Sequence, residues 1–390
     1  MKQRAVPCVV YRGGTSRGVF FKESDLPRSA DARHSIFMSA MDSCNPSQVN
    51  GLGSGTSHTS KVITVRPSER EDACLSYTFY QVGIGQPIVD AEGTCGNLMA
   101  AVGAYAVDEG YVKDMPEDGV VSVHVFNENI GRLIQLDVPV QQGCAQVEGD
   151  YQMPGLLQPG ARIGVSILSP GGGKTGTTFP CGMKTALSLK KREVSVTISD
   201  LVNPFVFVAS QTFGLDGTEP NRRLSEDPGL LESLEELRLS GAVEAGMSDS
   251  LELARRVPSI PKIALVAAPK NYVTTSGKTI QAHEVDIIAR MVSMGKVHRT
   301  FAGSGLYNLA AMVLLAGTIP NDCAKKGALH STEGTRQVIR IGHPDGIAEV
   351  VVELTPDGLD AASVGLDRTA RRIMDGRCYV SNWEEESDEL

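Results

Sequence analysis

Two segments that are apolar on nearly every side most constrain how this chain can fold. Residues 96–107 (GNLMAAVGAYAV) and 305–316 (GLYNLAAMVLLA) have almost no polar face at helical spacing. A helix with this pattern is enclosed by protein rather than placed on a surface. Because strand-like runs surround each segment, we expect two helices, each wrapped by β-sheet.

The strand-like runs occur in a similar order around both segments. Alternating or β-branched runs predict strands at 5–11, 18–21, 61–65, 75–82, 120–126 and 133–138, and again at 194–198, 205–209 and 262–267. TSKVITV at 59–65 precedes the first apolar segment as IPKIALV at 260–266 precedes the second. This order indicates an internal duplication.

The length of the chain favours two domains. Its 390 residues exceed one ordinary core, and we place the domains at 1–185 and 186–380, followed by an acidic tail at 381–390. Apolar spacing also predicts two outer amphipathic helices in the second domain. One contains Leu230, Leu231, Leu234 and Leu237, and the other contains Val285, Ile288, Ala289 and Val292.

Charge and motif content exclude several classes of function. A net charge of −9 gives no general attraction to nucleic acid or an anionic membrane. No apolar leader or bilayer-length segment is visible, so we expect a cytoplasmic protein. The eight cysteines form no C-x-x-C pair and the seven histidines form no H-x-H or H-E-x-x-H motif, so no metal is expected. The loop at 169–180 lacks the first Walker A glycine, because position 168 is Leu.

Three glycine-rich stretches suggest an anion site. They are RGGTSRG at 12–18, GLGSGTSHTSK at 51–61 and GTCGN at 93–97. Each stretch alone could be a tight turn, but together they offer backbone amides and hydroxyl donors for carboxylates. The candidate binding residues are Gly14, Thr15, Ser16, Arg17, Ser57, Gly96 and Asn97 in the first half, and His298, Arg299, Ser304 and Gly305 in the second.

Lys61 and Cys95 are the candidate acid/base groups. Cys95 lies just before the first apolar helix, where the helix dipole favours a thiolate. Lys61 opens an apolar strand after a Ser/Thr-rich loop, so it could act as a desolvated base. The alternative interpretations are that Cys95 is a small buried hydrophobic residue and that Lys61 is an ordinary surface lysine. Ser304 takes the equivalent place to Cys95 by this pattern, which makes the two half-sites chemically unequal.

The sequence resembles the PrpF family over nearly its whole length. The resemblance rests on RGGTSRGVFF, on TSK at 59–61, on CGN followed by LMAAVGA, on PKIALVAAPKNYVTTSGK at 261–278, on SMGKVH at 293–298 and on IGHPDG at 341–346. The family pattern is less well matched at HRTFAGSGLYN, 298–308, and at DLVNPFVFV, 200–208. Both departures fall where they could reshape a substrate pocket.

The resemblance implies an α+β, diaminopimelate epimerase-like fold. In that fold two pseudo-equivalent domains each wrap a curved, mostly antiparallel sheet around a central helix, with the ligand between them. It implies cofactor-independent isomerisation of 2-methylaconitate in propionate breakdown, or of 4-oxalomesaconate or methylitaconate. The family lysine and cysteine fall on Lys61 and Cys95.

Two rival functions remain open from the sequence. Amino-acid racemisation in this fold generally uses two opposed cysteines, and Ser304 speaks against it. A non-catalytic tricarboxylate-binding protein that assists an aconitase-like dehydratase is the rival of another class. The expected partner is in each case a small unsaturated di- or tricarboxylate, and a homodimer is left open.

Overall fold

The computed structural model describes residues 3–91, 93–153, 155–293, 295–325 and 336–381. These residues form two compact units, unit 1 within Met1–Ile167 and Asp367–Leu390, and unit 2 within Leu168–Leu366. The predicted acidic tail lies outside the described residues beyond residue 381. None of the helices in the described ranges is both long enough and apolar enough to cross a membrane.

Unit 1 is built around a buried helix. Its strands are β1 (Arg4–Gly13), β2 (Ser16–Lys22), β3 (Lys61–Pro67), β4 (Leu75–Val82), β5 (Val89–Asp90), β6 (Gly119–Asn127), β7 (Arg132–Gln141), β8 (Cys144–Ala145) and β9 (Gly164–Leu168), and its helices are α1 (Ala30–Met41) and α2 (Gly96–Asp108). Every residue of α2 from Leu98 to Val107 is buried. The prediction of an enclosed first helix is therefore confirmed.

Unit 2 repeats this plan around α6. Its strands are β10 (Thr185–Leu189), β11 (Arg192–Leu201), β12 (Asn203–Ala209), β13 (Lys262–Ala267), β14 (Tyr272–Val273), β15 (Thr279–Ile280), β16 (Ile287–Ser293), β17 (Lys296–Val297), β18 (Arg336–His343), β19 (Gly346–Leu354) and β20 (Ala361–Gly365). Its helices are α3 (Asn221–Ser225), α4 (Pro228–Glu244), α5 (Leu251–Arg256), α6 (Gly303–Leu314) and α7 (Ile319–Cys323). Residues Gly305 to Val313 of α6 are buried, as predicted for the second enclosed helix.

The strand pairings confirm the predicted duplication. In unit 1 the pairs β1–β2, β2–β3, β3–β4, β4–β6 and β6–β7 run antiparallel, parallel, antiparallel, parallel and antiparallel. In unit 2 the pairs β11–β12, β12–β13, β13–β16, β16–β18 and β18–β19 follow the same series of directions. Each central helix lies in the chain between the fourth and fifth strands of its series. The α+β class with two pseudo-equivalent units is the architecture observed.

The final strand makes the division of the chain differ from the predicted one. Strand β21 (Ala370–Val380) pairs antiparallel with β1, from the Arg4–Val380 pair to the Gly13–Ala370 pair. This pairing places the C-terminal segment in unit 1, and unit 2 begins at residue 168. The predicted limits 1–185 and 186–380 assumed that each domain is one continuous stretch, and a long-range ladder of this kind has no local signal.

One predicted outer helix is present and the other is a strand. Leu230, Leu234 and Leu237 are buried on α4, as its spacing predicted. The helix predicted around Val285 to Val292 is wrong, because Ile287–Ser293 forms β16. Six consecutive residues of β16 are buried, and a strand covered on both faces has a continuous apolar run that periodicity cannot separate from a helix.

Candidate active site

In unit 1 the turn between β1 and β2 meets the first turn of α2. Cys95 is the N-cap of α2, and its Sγ lies 3.9 Å from the buried Oγ of Ser16. The side-chain amide of Asn97 donates to Thr15 Oγ1 at 3.1 Å and lies 3.5 Å from Ser16 Oγ. The backbone amides of Gly96 and Asn97 have no acceptor among the described residues. A thiol, a hydroxyl and two amide donors are thus collected at one helix terminus, which suits an anion.

Glycines at the β1–β2 turn allow this close approach. A Cβ at Gly13 would lie 2.5 Å from the carbonyl oxygen of Asn97, and one at Gly14 would lie 2.4 Å from Asn97 Oδ1. Gly14 also has a φ of +51°, a conformation that favours glycine. Sterics therefore explain the two adjacent glycines of RGGTSRG, since a side chain at either one would push the turn away from α2.

Arg368 fixes the orientation of Asn97 and was not predicted. Its Nε donates to Asn97 Oδ1 at 2.8 Å, so the Nδ2 of Asn97 is the atom that faces Thr15 and Ser16. Arg368 is held in turn by paired backbone hydrogen bonds with Ile163 at 2.8 and 2.9 Å. No local motif marks this arginine, because its chain segment reaches unit 1 only through the return of the C-terminus.

Lys61 is buried and has a neutral hydrogen-bond partner. Lys61 is 8% exposed, and its Nζ donates to Gln81 Oε1 at 2.7 Å. Gln81 lies directly opposite Lys61 in the β3–β4 ladder and donates through Nε2 to the carbonyl of Ser60 at 2.8 Å. Nζ also lies 4.9 Å from the centroid of the Phe79 ring. No described carboxylate forms an ion pair with this lysine, so its ammonium remains available to an anionic ligand.

Gly18 links the start of β3 to the first turn of α2. A Cβ at Gly18 would lie 2.8 Å from Leu98 Cδ1 and 3.4 Å from the carbonyl oxygen of Lys61. The backbone of Lys61 and the third residue of α2 therefore lie on two sides of the same glycine. The structure thus places both predicted acid/base residues in the same region of unit 1.

Arg17 and Ser57 shape the glycine-rich loop that precedes β3. The guanidinium of Arg17 donates to the carbonyl of Leu52 at 3.0 Å, and its backbone amide donates to the carbonyl of His58 at 2.9 Å. Ser57 is exposed, and its carbonyl accepts from Gln81 Nε2 at 3.4 Å. Through these two hydrogen bonds Arg17 holds the glycine-rich loop against β2.

The residue of unit 2 that corresponds to Cys95 is Ala302. The amides of Leu98 and Met99 donate to the carbonyl of Cys95, and the amides of Gly305 and Leu306 donate to the carbonyl of Ala302. Ala302 is the N-cap of α6, whereas Ser304 is already the second residue of the helix. The predicted equivalence of Ser304 with Cys95 is therefore wrong, because the spacing from lysine to helix differs between the halves.

An exchange of side-chain size supports this alignment. In unit 1 the small Gly18 of β2 contacts the large Leu98 of α2, and in unit 2 the large Phe205 of β12 contacts the small Gly305 of α6. A Cβ at Gly305 would lie 2.6 Å from Phe205 Cζ. Leu98 and Gly305 both follow their N-cap by three positions, so the same gap is filled from opposite sides.

His298 and Arg299 differ in their surroundings. Burial lowers the pKa of His298, and its Nδ1 accepts from the amide of Thr300 at 3.2 Å. The side chain of Arg299 is 87% exposed and lies 4.0 Å from the carboxylate of Asp345. Asn221 Nδ2 donates to the carbonyls of both residues, at 3.1 and 3.0 Å. Of this pair only His298 has the burial expected of a ligand-binding group.

The described residues include no cluster of three or more His, Cys, Asp or Glu side chains placed to hold a metal ion.

The glycine-rich loop at 169–180 binds a carboxylate of the protein itself, that of Asp200. The amides of Lys174 and Thr175 donate to Asp200 Oδ2 at 2.7 and 2.6 Å, and Asp200 is 1% exposed. This loop is therefore occupied, in accord with its mismatch to Walker A.

Comparison with known proteins places these features in a family. Residues 3–381 match the family model described as PrpF protein. A protein named 3-methylitaconate isomerase from Eubacterium barkeri is 36% identical over 381 residues, which cover 97% of this chain and 98% of that protein. A protein named 2-methyl-aconitate isomerase from Cupriavidus necator is 34% identical over 390 aligned positions, with 96% of each chain covered.

A solved structure has the same fold. The crystal structure described as methylitaconate-delta-isomerase matches with a TM-score of 0.87 and 34% identity, over 99% of this chain and 100% of that one. A protein named 4-oxalomesaconate tautomerase from Pseudomonas putida is 30% identical, with 96% of each chain covered. The relatives thus share the full length of the chain and differ in the acid that their names give.

Proposed function

This chain belongs to the PrpF family, and as an isomerase of that family, we propose, it interconverts the cis and trans forms of 2-methylaconitate without a cofactor. The observation that carries the proposal is the unequal pair of helix termini. One terminus has Cys95 with Ser16 and Asn97 beside it, and the other has Ala302. A single thiol and a buried lysine suit proton transfer along an allylic system, whereas inversion at one stereocentre calls for two opposed groups.

The proposed reaction begins with removal of a proton from the methylene carbon beside the alkene. Lys61 or Cys95 takes the proton, and the electron pair of the broken C–H bond delocalises through the alkene towards a carboxylate oxygen. The former double bond then has single-bond character and can rotate. Return of a proton to the methylene carbon restores the acid with the other alkene geometry, so no oxidant or co-reactant is consumed.

Donors at the start of α2 would stabilise the charge that develops on oxygen. The amides of Gly96 and Asn97, together with the Ser16 hydroxyl, are fixed by the glycine turn and by Arg368 before any ligand arrives. Preorganised donors of this kind are usually the largest electrostatic contribution to catalysis. Gln81, as a neutral partner of Lys61, leaves the lysine free to exchange a proton with the substrate.

Isomerisation of methylitaconate is the second candidate. The relative with 36% identity and the solved structure with a TM-score of 0.87 both carry names for this reaction. Both reactions begin with removal of an allylic proton, which comes from a methine carbon in methylitaconate and from a methylene carbon in 2-methylaconitate. In methylitaconate isomerisation a proton is then added at the far end of the allylic system, whereas in the cis–trans reaction it returns to the carbon that lost it. The loops outside the shared motifs would decide between them. Tautomerisation of 4-oxalomesaconate, the name of a relative with 30% identity, follows the same chemistry.

The proposal places the protein in the breakdown of propionate, beside an aconitase-like dehydratase that would form or use the methylaconitate. The rival function is a binding protein that assists such a dehydratase and moves no proton itself. Both functions call for a polycarboxylate ligand. They differ in whether carbon-bound hydrogen exchanges with solvent.

Proton NMR in D₂O tests the proposal. The purified chain is incubated separately with 2-methyl-trans-aconitate, methylitaconate and 4-oxalomesaconate, with a Cys95→Ser sample beside each. We expect the cis isomer of 2-methylaconitate to appear with deuterium at the methylene carbon. Conversion of methylitaconate alone would move the proposal to the second candidate. Binding of an acid with neither conversion nor deuterium incorporation would overturn the enzymatic proposal in favour of the accessory protein.

A further inference from the structure

Lys262 is a half-buried cation that the proposed reaction does not use. It opens β13 in unit 2, as Lys61 opens β3 in unit 1. Burial lowers the pKa of its ammonium. Unlike Lys61, it has no hydrogen-bond acceptor and no ion-pair partner among the described residues. Its one described contact for the charge is the ring of Phe205, whose centroid lies 5.9 Å from Nζ.

This contact is too weak to explain a half-buried ammonium. The distance of 5.9 Å is near the outer limit of the range over which a cation–π contact is favourable. Partial removal of an ammonium from water is unfavourable unless a nearby charge or hydrogen bonds compensate. Replacement by an apolar side chain would avoid this cost. An uncompensated lysine at this position therefore points to an anion that binds there.

The neighbours of Lys262 supply a second donor and an apolar wall. His298 lies on the same face of the sheet as Lys262, because its amide donates to the carbonyl of Met291 at 2.8 Å and Met291 pairs with Ala264, two residues after Lys262 on β13. The charge of Lys262 also contributes, after burial, to the lowered pKa of His298. Because His298 Nδ1 accepts from the Thr300 amide, the proton of the neutral ring is on Nε2. The ring of Phe205 stacks with Phe301 at a centroid distance of 6.3 Å. Both rings contact the Cβ position of Gly305, beside the first turn of α6.

We propose that Lys262 and His298 form a carboxylate-binding site in unit 2, with the Phe205 ring as its apolar wall. The ammonium of Lys262 provides the charge, and the Nε2–H of His298 provides a neutral donor. The ligand class rests on the proposed function, in which the ligand is a small polycarboxylate. Cys95 of unit 1 and Lys262 of unit 2 then have different roles, which are proton transfer and anion binding.

Calorimetric binding of propane-1,2,3-tricarboxylate tests the site. This acid is saturated, so it cannot be isomerised and its binding is independent of turnover. Replacement Lys262→Met keeps the apolar stem and removes the charge. We expect Kd to rise about 10- to 100-fold, as for a lost hydrogen bond to a charged group. Lys278→Met is the matched control, because Lys278 is an exposed lysine of the same unit, and it should bind as the wild type does.

Two further measurements separate this inference from the proposed function and from a structural role. Without ligand, Lys262→Met should unfold at the same temperature as the wild type or at a higher one, because an uncompensated charge has been removed. A lower unfolding temperature with unchanged binding, or wild-type binding too weak to detect at millimolar acid, would overturn the site. If the wild type binds through Lys262 but converts no acid in D₂O, the proposed function fails and the site stands. If the wild type converts an acid in D₂O while Lys262→Met binds the tricarboxylate as tightly as the wild type, the proposed function stands and the site fails.

Discussion

The two units of this chain share a scaffold and differ where the scaffold ends. Both follow the same series of strand directions around a buried central helix. At the helix terminus, unit 1 has Cys95 and unit 2 has Ala302. At the start of the third strand, unit 1 has a lysine that donates to Gln81, and unit 2 has a lysine without a hydrogen-bond or ion-pair partner among the described residues.

The difference shows which parts of a duplicated fold are free to diverge. Core positions must fill the same volume, and Gly18 with Leu98 and Phe205 with Gly305 do so with the sizes exchanged. The N-cap residue of each central helix is not part of these size-matched contacts, so its side chain can differ in chemistry between the units. Proton transfer in unit 1 and anion binding in unit 2 are the division of roles that this comparison predicts.

Removal of the unit 1 groups should have the largest effect. Cys95→Ser and Lys61→Met should each lower kcat by about 10² to 10⁴-fold, the usual loss for a general acid or base. Cys144→Ser and Lys113→Met change exposed residues of the same unit and should leave turnover unchanged. Full turnover by either Cys95→Ser or Lys61→Met, measured with the acid converted in D₂O, would contradict the assigned roles.

Restoring a thiol in unit 2 should not restore activity. The double variant Cys95→Ser with Ala302→Cys should remain as slow as Cys95→Ser alone, because the second residue of α6 is Ser304 where α2 has Asn97, so the side-chain amide beside Cys95 has no counterpart at that position. Reaction of the new thiol with a thiol reagent provides the check that it is accessible. Recovery of turnover in the double variant would show that the two helix termini are functionally interchangeable.

The exchange of side-chain sizes can be tested through stability. Gly305→Ala places a Cβ 2.6 Å from the Phe205 ring and 2.7 Å from Phe301, and overpacking of this kind costs up to about 3 kcal/mol. Gly303→Ala is the matched control, since nothing lies within 4 Å of its Cβ position. Thermal unfolding should show a loss for the first variant only, and Phe205→Leu should recover part of it. If Gly305→Ala and Gly303→Ala unfold at the same temperature, the size-matched contact that supports the alignment of Leu98 with Gly305 is contradicted.

Mild acid should weaken unit 2 through a half-buried histidine, His343. Burial lowers the pKa of His343 from 6.5 to about 4, so below pH 6.5 the unfolded chain binds a proton that the folded unit excludes. Stability is complete above pH 6.5 and is lost as the pH falls towards 4, by about 1 to 2 kcal/mol between pH 6.5 and 5. The protection factors of unit 2 amides, which are corrected for the pH dependence of intrinsic exchange, should fall over this range, and His343→Gln should reduce the fall. An identical pH response in the variant would assign the effect to other groups.

Local patterns predicted the elements that have a one-sided or fully apolar periodicity. The strands at 75–82 and 262–267 were predicted with their observed limits, and both central helices were predicted within two residues at each end. The prediction failed at β16, where burial on both faces removes the alternation that marks a strand. It also failed to predict β21, whose partner β1 lies at the other end of the chain.

The sequence by itself determined the class of fold, the duplication and the two residues proposed for proton transfer. Each depends on a pattern within a few dozen residues, such as apolar periodicity, a glycine turn or a motif beside a helix start. The tertiary structure alone decided that Ala302 corresponds to Cys95, that Arg368 orients Asn97 and that Gln81 is the partner of Lys61. It also decided that Lys262 has no hydrogen-bond or ion-pair partner among the described residues. These are relations between segments that meet only through strand pairing and helix packing, and spacing along a chain does not encode which atoms come within a few ångströms of one another.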